Sequence, residues 1–261
     1  MKDLMPGWAT SRFELNHVTV DGEVVPYLVG GDGPALLMIH GMTLSLDWWQ
    51  LVAPDLARHF CVYLIDLPGF GRLGHLESTD SIQEFADWLH NFMEEAGLDR
   101  AHLLGLSLGA IIALQVTADH PERVDRLILL APAMLRPRKS LFSHGLGWLR
   151  VLPEVPRWMI PLALRDASWA DLQAVWHSGQ DLLEEDVRDR LSAIRATTLV
   201  AVGNNDPILS ISQAEALVEK LPDARLVVLP GAGHMPMISD PGRLNQEILR
   251  FLRSDSCSGS V

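Results

Sequence analysis

Ser107 stands in Gly105-Leu106-Ser107-Leu108-Gly109, with a glycine two positions away on each side. A serine hydroxyl is a weak nucleophile at neutral pH and needs a base within hydrogen-bond reach. The run His102-Leu103-Leu104 before it and Ala110-Ile111-Ile112-Ala113-Leu114 after it predict a strand, a tight turn and a helix. Ser107 then occupies the apex of the turn, in strained backbone, with its hydroxyl projecting and a helix N-terminus beneath it. Only small residues fit two before and two after such a serine, because the backbones pack closely there. A plain helix N-cap is the competing role for Ser107, and the flanking glycines disfavour it.

Three further segments carry polar groups at the expected ends of strands, where functional groups gather in an open parallel sheet. Gly231-Ala232-Gly233-His234-Met235-Pro236 is a glycine-rich loop able to present an imidazole as the base. Among ten histidines, His17, His59, His75, His90, His120, His144 and His177 read as surface or helix residues, and His102 precedes the serine strand. Val202-Gly203-Asn204-Asn205-Asp206-Pro207 offers Asp206 to hold His234 in one tautomer. An Asx-turn before proline is the competing role for Asp206. Asp125 and Asp66 are rival acids, although Asp66 fits a structural turn in Asp66-Leu67-Pro68-Gly69-Phe70-Gly71. His40-Gly41-Met42 follows an apolar run, and the backbone amides of Met42 and Leu108 could donate to an oxyanion. His40 itself reads as structural.

These groups need a scaffold, and the pattern along the chain supplies one. Segments 13–20 and 24–29 predict an antiparallel hairpin around Asp21-Gly22. Strands are expected at 35–39, 61–65, 101–104, 124–130, 198–202 and 225–229. Helices are expected at 47–58, 81–96, 107–120, 212–221 and 242–252. Repeated strand-helix-strand units imply a mostly parallel sheet covered on both faces. Residues 133–193 interrupt the alternation and are too many for a normal connection. They hold Trp148, Trp158, Trp169 and Trp176, with Met159, Ile160 and Leu162, and Pro153, Pro156 and Pro161 break them into short helices. Two roles are open for them: a helical subdomain packing its own core, or a cap whose aromatics line an acyl or aryl pocket.

Taken together, the chain resembles the α/β-hydrolases over nearly its whole length. The order Ser107, Asp206, His234 is that family's order of nucleophile, acid and histidine. His40-Gly41, Asp66-x-Pro68-Gly69-x-Gly71 and Gly231-x-Gly233-His234 match its recurring motifs. The resemblance implies an α/β fold with a mostly parallel eight-stranded sheet, helices on both faces and a small helical cap insertion. It divides the chain into core at 1–132 and 194–253, cap at 133–193 and a flexible tail at 254–261. It implies ester hydrolysis through an acyl-enzyme, with catalytic Ser107, Asp206 and His234, oxyanion amides of Met42 and Leu108, no metal and no organic cofactor. A serine nucleophile argues against epoxide hydrolases and haloalkane dehalogenases, which resemble this fold but attack through a carboxylate. Leu106 stands where meta-cleavage carbon–carbon hydrolases usually have asparagine. A Gly-Gly-Gly oxyanion loop of the hormone-sensitive-lipase type is absent.

The expected reaction is therefore cleavage of short to medium acyl or aryl carboxylic esters. Trp148, Trp158, Met159, Trp169 and Trp176 are the candidate substrate pocket. A lactonase, a carbon–carbon hydrolase or an acyltransferase could use the same triad, and a non-catalytic ligand receptor could use the same fold. The resemblance implies a small-molecule ester and water as the partners. A net charge of -12, with no basic cluster longer than Arg136-Pro137-Arg138-Lys139, argues against nucleic acid and anionic membrane. That cluster could greet an acidic substrate or simply be a solvated surface. The most membrane-like window, 103–118, falls short of a span of roughly 20 residues. Two cysteines, Cys61 and Cys257, lack metal-ligand spacing and fit a reducing cytoplasm. Oligomeric state is left open.

Overall fold

The computed structural model describes residues 5–74, 81–133, 151–184 and 187–253. Strands β1 (Glu14–Val20) and β2 (Glu23–Gly30) form the expected hairpin. Asp21 and Gly22 both adopt positive φ, at 51° and 87°, so the tight turn matches the twist of the strands it joins. The other strands are β3 (Ala35–Ile39), β4 (Cys61–Ile65), β5 (Ala101–Leu106), β6 (Val124–Leu130), β7 (Thr197–Gly203) and β8 (Ala224–Leu229). Their order in the 8-stranded sheet is β1-β2-β4-β3-β5-β6-β7-β8. The pairs β1/β2 and β2/β4 are antiparallel and every other pair is parallel. This is the mostly parallel sheet that the sequence pattern implies.

The two-residue period of the strands divides their side chains between two apolar layers. Leu36, Met38, Leu104, Leu106, Ile128 and Leu130 point to one face and pack with Trp48, Trp49, Ile248 and Phe251. Leu37, Ile39, Leu103, Leu127 and Leu129 point to the other and pack with Phe85, Leu89, Ile112 and Val116. Burying each such side chain contributes about 1.5–3 kcal/mol before the entropy of ordering is set against it. The layers are completed by helices α1 (Ile82–Glu95), α2 (Leu108–Asp119), α3 (Ile160–Trp169), α4 (Leu172–Glu184), α5 (Ile211–Val218) and α6 (Pro241–Arg253). Helix α1 opens on a capping box between Ser81 and Glu84, and Gly97 beyond its end has φ of 69°.

One expected helix does not form as a unit. Residues 47–58 split into a 3-10 turn at Leu46–Trp49 and a single α-turn at Ala53–Leu56. Pro54 has no N–H to donate, so it can begin a helical turn but not continue one. The Asp47 side chain is meanwhile drawn into long-range contacts described below.

Between β6 and β7 lie 3-10 turns at Leu152–Glu154 and Arg157–Met159, then α3, α4 and a 3-10 segment at Val187–Ala193. Pro153 and Pro161 each sit in the first two positions of a turn or helix, where a missing N–H costs nothing. Val151 and Met159 join one apolar layer of the sheet, while Ala174 and Leu182 join the other. Among the described residues the insertion builds no third core of its own. Trp148, the Arg136–Lys139 cluster and the tail with Cys257 lie outside the described residues.

Candidate active site

The turn between β5 and α2 holds Ser107 at φ 53° and ψ -112°, a conformation that side chains other than glycine rarely adopt. Its own N–H is spent on Leu130 O at 2.9 Å, which ties the turn to the end of β6. The two glycines have separate reasons to be glycine. A Cβ at Gly105 would collide with the backbone of Gly109, and one at Gly109 would collide with the carbonyls of His40 and Ile39.

His234 approaches from the loop after β8. Its Nε2 lies 3.1 Å from Ser107 Oγ, and its Nδ1 lies 2.8 Å from Asp206 Oδ2. The imidazole and the Asp206 carboxylate are both shielded from water, with side-chain exposures of 2% and 0%. With the carboxylate at Nδ1, the proton sits there, and Nε2 is the lone pair facing the serine hydroxyl. Asp206 also accepts the amides of Ile208 and Leu209 on Oδ1, at 2.7 and 3.0 Å. The Asx-turn and the histidine contact are therefore not alternatives, because one oxygen serves each. The rival acids are occupied elsewhere. Asp125 pairs with Arg100 at 2.8 Å, and Asp66 accepts the amides of Leu46 and Arg72 at 2.7 and 2.8 Å.

The third side of the site is the loop after β3. A Cβ on Gly41 would stand 3.4 Å from Ser107 Cβ, so this loop borders the serine. Among the described residues the amide N–H groups of Met42 and Leu108 have no protein acceptor. His40, fully buried, accepts the Leu67 amide on Nε2 at 2.9 Å and contacts Gly41 O through Nδ1 at 2.8 Å. Burial lowers its pKa, outweighing the opposing pull of Asp66.

A buried polar network joins this loop to the insertion. Asp166 of α3 accepts Ser45 Oγ at 2.7 Å and Trp48 Nε1 at 2.8 Å, and pairs with Arg165 at 2.7 Å. Arg165 also binds Asp47, as do Arg72 at 3.0 Å and Trp8 Nε1 at 3.0 Å. Desolvation raises the Asp166 pKa against the opposing hydrogen bond from Ser45 and the charge of Arg165. Sequence reasoning missed Asp47, Arg165 and Asp166. The available signal was a charged pair inside an otherwise apolar, Trp-rich stretch. It also missed Glu154, whose carboxylate accepts the amides of His234 and Met235, each at 3.0 Å.

Four of the candidate pocket residues, Trp158, Met159, Trp169 and Trp176, fall within the described residues. Trp158 and Met159 line a cavity of about 330 Å³ together with Trp8, Arg72 and Arg165, and Ser107, Asp206 and His234 are not among its walls. Trp169 packs under the Arg165 guanidinium at 4.3 Å, and Trp176 is 54% exposed. Among the described residues no helix is long and apolar enough to cross a membrane, and no group of three or more His, Cys, Asp or Glu could hold a metal ion.

Comparison with known proteins places this geometry in context. The model of the alpha/beta hydrolase family matches residues 36–247. A pimeloyl-(acyl-carrier protein) methyl ester esterase of Aeromonas hydrophila subsp. hydrophila is 28% identical over 251 residues, spanning 85% of this chain and 96% of that one. A 2-hydroxy-6-oxo-6-phenylhexa-2,4-dienoate hydrolase of Burkholderia cepacia is 29% identical over 257 residues, spanning 85% and 88%. The crystal structure of a membrane phospholipase A, a bacterial virulence factor, superposes with a TM-score of 0.84 at 28% identity, covering 95% of this chain and 87% of that one.

Proposed function

Because this chain belongs to the alpha/beta hydrolase family, we propose that it is a serine hydrolase cleaving carboxylic esters of short to medium acyl or aryl type. Ser107 is the nucleophile, His234 the base, Asp206 the acid, and the amides of Met42 and Leu108 the oxyanion donors. The observation that carries this reading is the continuous chain from Ser107 Oγ to His234 Nε2 at 3.1 Å and from His234 Nδ1 to Asp206 at 2.8 Å. The esterase relative from Aeromonas supports the ester as the bond attacked.

The steps follow from the protonation states. Ser107 Oγ attacks the ester carbonyl as His234 Nε2 takes its proton. The carbonyl oxygen becomes an oxyanion between the two amides, each such donor being worth about 2.7–4 kcal/mol in the transition state. Asp206 stabilises the imidazolium without taking its proton. The imidazolium then protonates the departing alcohol, leaving an acyl-Ser107 ester. Water, deprotonated by His234, attacks that ester, and collapse of the second tetrahedral intermediate returns the proton to Ser107.

The insertion at 133–193, in this reading, is the cap that selects the acyl or aryl group. A p-nitrophenyl ester series tests the class. The expected optimum lies at short to medium acyl chains, and an optimum at long, lipid-like acyl chains contradicts it. The Burkholderia relative, named as a dienoate hydrolase, favours a second reading, the carbon–carbon hydrolase. Including that dienoate in the panel separates the two, since only a carbon–carbon hydrolase will prefer it to every ester.

A further inference from the structure

Glu154 comes from the insertion, 80 positions before the histidine loop, and sits in the turn Leu152–Glu154 between Pro153 and Pro156. Its two carboxylate oxygens divide between two successive amides. Oε1 accepts His234 N–H and Oε2 accepts Met235 N–H, each at 3.0 Å. His234 and Met235 are 1% and 3% exposed, so water cannot readily stand in for the carboxylate. The residue before them is adapted to the same contact: a Cβ on Gly233 would fall on the Glu154 carboxylate.

The remainder of the histidine loop is tied differently. Gly231 N–H donates to Asn204 Oδ1 at 2.7 Å and Asn205 N–H to Ala232 O at 2.9 Å, which join it to the Asp206 loop. Those bonds stop short of the histidine. At His234 the insertion takes over, through a charge-assisted pair of bonds.

We propose that Glu154 is a positioning residue for the reaction: from the insertion it fixes the backbone of His234 so that the imidazole keeps both its Ser107 and its Asp206 contacts. The inference rests on the reading of His234 as the base. It makes turnover depend on the insertion being seated, because the carboxylate that holds the base belongs to it. A merely structural tie would lower stability and leave the imidazole where it is.

The experiment compares Glu154→Ala, Glu154→Gln and Gly233→Ala with the parent enzyme on a short p-nitrophenyl ester. Small misplacements of a catalytic group cost up to about 100-fold, so Glu154→Ala should lower kcat by about ten-fold or more while KM stays within about two-fold. Glu154→Gln keeps one acceptor oxygen and should fall between the two. Gly233→Ala should reproduce the loss, because the new Cβ expels an intact carboxylate. The second readout is the low-field proton resonance of the His234 Nδ1–Asp206 hydrogen bond, recorded in a Ser107→Ala background. It should broaden or move upfield when Glu154 is replaced. Should Glu154→Ala not fold, Glu154→Gln and Gly233→Ala carry the same criteria. Unchanged kcat in the folded variants overturns the proposal, as does a lowered kcat with the low-field resonance intact. Full turnover by Ser107→Ala would instead overturn the nucleophile assignment, which separates the two failures.

Discussion

The imidazole of His40 contacts the carbonyl oxygen of Gly41 through Nδ1 at 2.8 Å. The Leu67 amide donates to Nε2, so Nδ1 carries the proton and is the donor in that contact. In a trans peptide the carbonyl and the following N–H point opposite ways. The Met42 N–H is therefore turned away from His40. A residue read from sequence as structural thus orients the peptide proposed to bind the oxyanion.

His40→Ala tests that orientation. Removing a whole oxyanion donor costs about 10²–10³ in kcat, and loosening one should cost less, about ten-fold, with KM little changed. The buried Leu67 amide would lose its acceptor, so stability should also fall by about 1–3 kcal/mol. Steady-state kinetics beside urea denaturation measure both. A variant that loses stability but keeps kcat shows that His40 only holds the fold.

Asp206→Asn separates the two duties of that side chain. Its Oδ1 can still accept the amides of Ile208 and Leu209, so the loop should keep its shape. An amide cannot hold His234 in the same tautomer; in a serine protease with the same constellation on an unrelated fold such a change lowers kcat about 10⁴-fold, and a loss of similar order is expected here. A turnover number within a few fold of the parent would move the acid elsewhere.

Acid should unfold the protein through buried neutral histidines. Burial lowers the pKa of His40 below 6.5 against the opposing charge of Asp66, and lowers that of His102 against the charge of Asp125. As pH falls below 6.5 the unfolded chain binds protons that the folded chain still refuses. The stabilisation is complete above that value and is lost on acidification toward the folded pKa, at up to about 1.4 kcal/mol per pH unit for each group. Urea midpoints measured downward from about pH 7.5 should fall, and His102→Gln should flatten the profile. A profile that is flat in the parent contradicts this.

Asp166→Ala should release the insertion from the core. It leaves the Ser45 hydroxyl and Trp48 Nε1 without their buried acceptor, and leaves Arg165 with Asp47 as its remaining carboxylate. Each buried donor left unsatisfied costs about 1–3 kcal/mol. Limited proteolysis should then cut within 151–184 before the sheet unfolds. Cleavage no faster than in the parent would mean that the Glu154 carboxylate and the apolar contacts of Met159 and Ala174 seat the insertion without Asp166.

What the sequence made legible was local. The glycine spacing around Ser107 reports a close backbone approach, and the alternation of apolar residues reports the strands, so the sheet and the loops bearing Asp206 and His234 could be read directly. The helix expected at 47–58 failed because the periodicity is real but Pro54 interrupts the hydrogen bonding beneath it. The partners of Asp166 and Glu154 were illegible for a different reason. Asp166 meets Ser45 across 121 positions, and Glu154 meets His234 across 80. No pattern along the chain encodes such partners. Residue type marks the tryptophans of the insertion as candidates for a pocket, but type does not fix which way a side chain on a short helix faces.

The central claim is that Ser107 attacks the substrate. Intact-mass analysis and peptide mapping after treatment with a fluorophosphonate test it most directly. The account predicts a single phosphonyl adduct on Ser107, loss of esterase activity in step with labelling, and no adduct in Ser107→Ala. An adduct that persists in Ser107→Ala, or ester hydrolysis that continues after Ser107 is fully modified, would contradict it.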